Sequence, residues 1–324
     1  MTFELLRGRR VVVTGGGGFI GGHVMDALAG CGAEPIAVVQ AGVNGRIPPV
    51  GSSVSADLED PDAVSRVLDG AELVVHLAAR AGGIAFQRSA DPAVFTVNRR
   101  ITDNVLGAAS AAGVKRVFLA SSLVTYRASD ETLTEDHPKL SVEDRPSPYA
   151  WSKITDEVVA EWHPDVETVV GRFGNIYGPG ANFAGADATA VHALISRAVN
   201  LRNGEELEVW GDGKAVRSFV FVRDAADAVL TILASAPSGS TYNVDSGVPV
   251  TIAELATVVR DAVNPTLRLR FDASRPSGRP YRVPSVAALA SLGFTAPTTL
   301  HNGVRVTVEW FKAHISPPEG GSTP

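Results

Sequence analysis

Eight residues near the amino terminus, Thr14-Gly15-Gly16-Gly17-Gly18-Phe19-Ile20-Gly21, constrain this chain more than any other stretch. They follow the apolar, β-branched run Val11–Val13 and open a helical pattern, so the glycines stand where a strand turns into a helix. Gly15 permits a tight turn, Gly18 lets the backbone approach a pyrophosphate, and Gly21 lets the helix pack closely on the strand. The helix amino terminus, beginning with Phe19 and Ile20, then faces the negative charge. Dinucleotide binding is the expectation.

Similar apolar runs recur at Ile36–Val39, Leu73–Leu77 and Val117–Ala120, separated by helical stretches. Short, continuous apolar strands between helices imply a parallel sheet covered on both faces. The expected fold class is therefore α/β: a doubly wound parallel (Rossmann) sheet with a second, smaller mixed α/β lobe. Its first strand starts at Arg10. Gly, Pro and Asn cluster in Gly178-Pro179-Gly180-Ala181-Asn182, where the strand-and-helix rhythm weakens. That divides the chain into a dinucleotide-binding domain over 1–176 and a substrate lobe over 177–315, with 215–235 returning to the first domain as a strand and a helix. Residues 316–324 have the Pro/Gly/Ser composition of an unpacked tail.

A chain of 324 residues, 45% hydrophobic and 20% charged, can bury a full core without staples. A net charge of -6 and the lack of any Lys/Arg run argue against a nucleic-acid partner. No apolar stretch approaches the roughly 18 residues of a spanning helix, which argues against a membrane. A single cysteine, Cys31, and no secretory leader predict a reducing, cytoplasmic setting. The expected partner is a small molecule, and no metal site is read from the sequence.

An NAD-selecting sheet of this type carries an acid about 20 residues past the glycines, at the end of strand 2. Gln40 stands there. Without a carboxylate nothing repels a 2′-phosphate, so NADP(H) is favoured; NAD(H) stays open, because Gln40 can also hydrogen-bond its ribose. Arg46 either meets the phosphate or is a solvated loop arginine. Asp57-Leu58 either borders the adenine or leads into a helix.

The stretch Ser147-Pro148-Tyr149-Ala150-Trp151-Ser152-Lys153 reads as a helix start, with Ser as N-cap and Pro in the first turn. Tyr149 and Lys153 then share one face, and a cation beside a phenol eases proton transfer. Phe118-Leu119-Ala120-Ser121-Ser122 brings hydroxyls to the carboxyl end of the fourth expected strand, the edge where open α/β sheets bind ligands. Ser122 can hold a carbonyl oxygen while Tyr149 moves the proton. Ser121 and Thr125 are the alternative hydroxyls.

At this point the chain resembles the extended short-chain dehydrogenases/reductases, the NAD-dependent epimerase/dehydratase family, which includes nucleotide-sugar 4-epimerases, 4,6-dehydratases and GDP-fucose synthases. Besides the glycine loop and Tyr149/Lys153, the matching pieces are Val74-Val75-His76-Leu77-Ala78-Ala79, the Ser121-Ser122 to Tyr126 segment, Arg172-Phe173-Gly174-Asn175-Ile176-Tyr177-Gly178-Pro179, and Trp210-Gly211-Asp212-Gly213 leading to Arg217-Ser218-Phe219. The resemblance implies that Leu77, Ala78 and Ala79 border the cofactor and that Arg80 meets the substrate. It implies that Asn175 and Arg217 contact a substrate diphosphate, and that Arg279 or Arg282 contacts the nucleotide. It also implies a homodimer, paired through helices over Asn98–Ala112 and Tyr149–Trp162. Trp210 either stacks near the base or anchors a core, and GDP, UDP and dTDP all stay open.

Departures narrow the chemistry. Arg80-Ala81-Gly82-Gly83-Ile84 and Asn182-Phe183 look most like GDP-fucose synthase and GDP-mannose 3,5-epimerase, which epimerise with a Cys where this chain has Val124. Their second acid/base falls in the region Thr189–His192; here His192 is either a displaced substitute or an ordinary helix residue. The 4,6-dehydratases carry Asp-Glu where this chain has Leu123-Val124, which cannot eliminate water. What remains is NADP(H)-dependent reduction of a nucleotide-linked 4-keto-6-deoxyhexose, with NAD-dependent 4-epimerisation as the alternative. A non-catalytic dinucleotide-binding sensor is the rival from another class, and it predicts decay of Ser122, Tyr149 and Lys153.

Overall fold

The computed structural model of the chain describes residues 3–40, 50–82, 86, 91–184, 188–275 and 279–315. Its first half alternates strands and helices: β1 (Arg10–Thr14), α1 (Phe19–Gly30), β2 (Glu34–Val39), β3 (Ser52–Ser55), α2 (Pro61–Leu68), β4 (Leu73–His76), α3 (Pro92–Ala111), β5 (Arg116–Ser122), α4 (Pro148–Ala160) and β6 (Glu167–Phe173). Local chemistry starts three of the helices in the same way. Asp60, Asp91 and Ser147 each cap a helix with a side-chain oxygen, and a proline follows each where no backbone N–H is needed.

Later come β7 (Ile176–Tyr177), α5 (Ala190–Val199), β8 (Glu206–Trp210), β9 (Val216–Arg217), β10 (Val220–Phe221), α6 (Val222–Ser235), β11 (Thr241–Val244), β12 (Val250–Thr251), α7 (Ile252–Val263), β13 (Arg268–Asp272), β14 (Tyr281–Arg282), α8 (Ala287–Ser291) and α9 (Leu300–His314). Seven strands form one parallel sheet in the order β11-β6-β5-β4-β1-β2-β3. This is a doubly wound Rossmann-like α/β fold. The apolar-run reading passes over β3, because all four of its residues are exposed at the sheet edge. The fourth expected strand is accordingly β5.

Both faces of the sheet are covered. One core joins Val11, Val13 and Phe118 to Val24 and Leu28 of α1 and to Val229 and Leu233 of α6. The opposite core sets Val12, Val74 and Val117 against Val64 of α2, Leu106 of α3 and Ala160 of α4. Across 215–235, β9 and β10 pair outside this sheet, whereas α6 packs against α1. The strand that extends the sheet is β11, and α8 packs beside it. A separate core gathers Tyr177, Ile195, Leu207, Leu255, Val304 and Phe311, joining α5, α7 and α9 to the short strands β7 and β8.

The strand order reverses between β1 and β4. Ligands of open α/β sheets bind at the carboxyl edge of such a switch point.

Candidate active site

The glycine turn sits at that switch point, and backbone fills it. Gly15 has φ 71°, in the left-handed region, and a Cβ there would lie 3.1 Å from the Ala78 backbone. A Cβ on Gly21 would meet the Gly15 carbonyl oxygen at 2.1 Å. Gly18 caps α1 without a side chain, so no carboxylate or hydroxyl competes for the first-turn N–H groups. The cradle fits the diphosphate of a dinucleotide.

From there a cleft of about 680 Å³ opens along the sheet edge. Of the residues expected at the cofactor, Gly15, Gly18, Phe19, Gln40, Asp57, Leu58, Ala78 and Ala79 line it, and Arg80 joins them. Ile20, Gly21, Leu77, Tyr149 and Lys153 are not among its lining residues. Arg46 lies outside the described residues. Asp57 is exposed and its Oδ1 accepts the Glu59 N–H at 2.9 Å in the turn before α2, whose cap is Asp60. Val97 and Ile101 of α3 line the cleft as well; their only signal in the sequence is an apolar pair one helical turn apart.

Beneath the cleft, Thr14 and His76 tie the ends of β1 and β4 together. Thr14 Oγ1 lies 2.7 Å from His76 Nδ1 and accepts the Ala78 N–H at 3.3 Å. His76 Nε2 lies 3.3 Å from Thr102 Oγ1. Complete burial, aided by the charge of Lys153, lowers the His76 imidazole to about 3.

The three hydroxyls at the end of β5 are not equivalent. Ser121 is buried and donates to Glu157 Oε1. Thr125 is fully buried and donates to the Ser122 carbonyl at 2.9 Å. Only Ser122 is partly exposed; its Oγ accepts the Val124 N–H at 3.2 Å, which leaves its own proton to donate. Tyr149, half-buried, lies on the first turn of α4 with the Phe86 ring edge-on at 6.2 Å. Lys153, one turn on, is buried, and its Nζ donates to the Ala120 carbonyl at 2.9 Å.

Asn98, which sequence reasoning did not assign to the site, braces it from α3. It accepts the Arg80 N–H at 2.7 Å and donates to the Arg80 carbonyl at 3.1 Å and to Ser152 Oγ at 3.2 Å. Ser152 in turn donates to the Tyr149 carbonyl at 2.8 Å. A buried asparagine in a helix is legible as a brace only once its neighbours are known.

Arginines gather in the second part of the site because β14 pairs with β9 and sets Arg282 opposite Arg217. Arg217 donates to the Val216 carbonyl at 2.7 Å and the Arg279 carbonyl at 2.6 Å. Burial, then the charge of Arg279, pulls Arg217 below its usual range. Arg282 has a buried Nε with no partner; burial first, then Arg279 and Arg217, bring its guanidinium down to about 10. Asn175 donates to the Ser218 carbonyl at 2.9 Å at the margin of this cluster. The structure thus brings Arg217, Arg279 and Arg282 together where the sequence left the last two as alternatives.

His192 is an ordinary helix residue. It is buried in α5, with Nδ1 2.8 Å from Thr189 Oγ1, Nε2 accepting the Gly178 N–H at 3.2 Å, and Phe183 packed edge-on at 4.8 Å. Trp210 is half-exposed, with the guanidinium carbons of Arg197 and Arg275 5.7 and 5.5 Å from its ring. Among the described residues no helix is long and apolar enough to cross a membrane.

Comparison with known proteins agrees with this geometry. Residues 11–245 match the NAD dependent epimerase/dehydratase family. Over 97% of its length the chain is 30% identical to dTDP-4-dehydro-6-deoxy-D-allose reductase from Streptomyces sp, spanning 99% of that protein. It is 30% identical to GDP-L-fucose synthase 1 from Arabidopsis thaliana, over 75% of this chain and 77% of the relative. UDP-glucose 4-epimerase from Thermotoga maritima, solved with UDP-glucose, is similar with TM-score 0.83 and 25% identity, covering 95% of this chain and 100% of that one.

Proposed function

The chain belongs to the NAD dependent epimerase/dehydratase family, and on that premise we propose that it is an NADP(H)-dependent 4-ketoreductase acting on a nucleotide-linked 4-keto-6-deoxyhexose. The observation that carries this reading is the lack of a proton-exchanging side chain in the turn after Ser122. That turn, Leu123–Thr125, offers Leu123 and Val124, neither of which exchanges a proton, and the Thr125 hydroxyl is committed to backbone. The single cysteine, Cys31, lies at the far end of α1, roughly 20 Å along the helix from Gly18. Proton abstraction from a sugar carbon therefore lacks a base here, whereas ketone reduction needs only a donor and a hydride. The reductase relatives, matched over nearly their whole length, support the same choice.

When bound, the reduced nicotinamide supplies a hydride to sugar C4. Ser122 holds the ketone oxygen, and Tyr149 gives its proton to the developing alkoxide and regains one from solvent. Lys153 holds the nicotinamide ribose and steadies the phenolate. Asn175, Arg217, Arg279 and Arg282 hold the substrate diphosphate, for which the buried, unpartnered Nε of Arg282 is suited. The absence of an acid at Gln40, exposed at the cleft, supports NADP(H). Pairing through α3 and α4 into a dimer belongs to the same proposal and is tested by sedimentation.

The decisive assay follows NADPH and, separately, NADH absorbance with dTDP- and GDP-linked 4-keto-6-deoxyhexoses, with Tyr149→Phe as control. Stoichiometric NADPH loss that the Phe variant abolishes is the expected result. Tightly held NAD with conversion of a UDP-hexose to its C4 epimer, without net redox change, would instead establish the 4-epimerase reading, which the likeness to UDP-glucose 4-epimerase favours.

A further inference from the structure

A line of alternating charge crosses from α3 to α4 directly behind the catalytic face. Asp156 is completely buried, one turn past Lys153. Its Oδ2 lies 3.4 Å from Lys153 Nζ, and its Oδ1 accepts from Arg99 Nη1 at 3.0 Å. Arg99 also pairs with Asp103 toward the surface. The Tyr149 hydroxyl, in contrast, has no hydrogen-bond partner among the described residues, while the Lys153 ammonium is held by Asp156 and the Ala120 carbonyl.

We infer that Asp156 is a positioning residue: it holds the Lys153 ammonium against the end of β5 and offsets its charge, so that Tyr149 rests as the protonated phenol that ketone reduction consumes. The inference rests on the reading of Tyr149 as proton donor and deepens it. Inside a protein, a carboxylate within 4 Å of an ammonium cancels much of the field that the cation exerts on a third group. A buried carboxylate without partners is costly, and the second contact, to Arg99, gives the other Asp156 oxygen a partner.

Among the described residues, the other groups facing this spot are these. His76 on β4 is held neutral by burial. Ser121 and Ser122 on β5 are uncharged, and Glu157, the next residue along α4, is engaged by Arg172 and Lys139. Asp103 lies beyond Arg99 and is half-exposed. Asp156 and Arg99 are therefore the charges that set the balance around Lys153. An oxidation-first reaction, such as 4-epimerisation, begins from the phenolate and would gain nothing from this arrangement.

The test compares wild type, Asp156→Asn and Arg99→Gln by the pH dependence of NADPH-driven ketone reduction. A parallel ultraviolet titration of each protein against its Tyr149→Phe counterpart reads the Tyr149 phenolate without substrate. A donor loses activity as pH rises and its proton leaves. In Asp156→Asn the Lys153 ammonium, no longer offset, stabilises the phenolate, so the falling limb and the phenolate band both move to lower pH by about one unit. Arg99→Gln removes a cation and moves both to higher pH. A merely structural Asp156 would lower the yield of folded protein and leave the limb in place. Unmoved or reversed limbs in the folded variants overturn the inference, and if Asp156→Asn does not fold, the Arg99→Gln shift decides alone. Full reduction by Tyr149→Phe would overturn the catalytic reading as well, an outcome distinct from an unmoved limb.

Discussion

Arg172 grips Glu157 through two parallel hydrogen bonds, Nε to Oε1 at 2.9 Å and Nη2 to Oε2 at 2.7 Å, and both side chains are buried. Around this pair converge Ser121 from β5, Lys139, and Tyr126, whose hydroxyl accepts from Arg172 Nη1 at 2.7 Å and donates to Asn243 at 2.8 Å. The network seals the carboxyl ends of β5, β6 and β11 just behind Ser122. It is scaffold, and it holds the Ser121 hydroxyl on Glu157.

Removing Arg172 leaves the buried Glu157 carboxylate with only Lys139 and Ser121 as partners, so Arg172→Met is expected to cost about 3 kcal/mol in urea unfolding. Burial pushes the Glu157 carboxyl up, but the Arg172 bonds and the charges of Arg172 and Lys139 outweigh it and hold the group below its usual range. A carboxylate lowered in the fold contributes stability above its unfolded value of 4.5 and loses it as pH falls below. Glu157→Gln, measured alongside wild type, should therefore lack part of the acid sensitivity below pH 4.5.

His76 sets a second acid limit. The unfolded chain protonates this residue near 6.5 and the folded site only near about 3, so its contribution is complete above pH 6.5 and is lost as pH falls toward 3. The slope is about 1.4 kcal/mol per pH unit within that window. His76→Asn removes it, and the stability gap between wild type and variant should narrow by about that amount per unit between pH 6 and pH 4. A constant gap would show that His76 is protonated in the fold.

For cofactor choice, Gln40→Asp places a carboxylate at the cleft where a 2′-phosphate would sit. Repulsion should cut kcat/KM for NADPH by about tenfold or more and spare NADH. An unchanged preference would mean that selection lies elsewhere in the cleft.

The arginine cluster predicts a separation of parameters. Arg282→Met removes a charged donor held ready for an anion, and charge-assisted bonds of this kind are worth about 1.5–3 kcal/mol. KM for the nucleotide sugar should rise about 10- to 100-fold while kcat changes little, because the diphosphate is bound equally in ground and transition states. A fall in kcat at constant KM would place Arg282 nearer the reacting carbon.

How far the sequence reached depends on the range of each interaction. The glycine junction of Gly15 to Gly21, the Ser147-Pro148 helix start and the one-turn spacing of Tyr149 and Lys153 are local. Backbone strain, capping and helical period act over a few residues, so composition and spacing alone determined them. The same holds for β1, β2, β4 and β5, whose buried faces make continuous apolar runs, and it fails for β3, whose exposed edge makes none. Tertiary structure alone decided which of Ser121, Ser122 and Thr125 is free to act, since Glu157 on another helix claims the first and burial closes off the third. It also decided that Arg282 faces Arg217, that Asn98 braces Tyr149 through Ser152, and that Asp156 stands between Lys153 and Arg99. Each of these depends on how elements distant in the chain pack and register against one another, and that pairing leaves no periodic trace in the sequence.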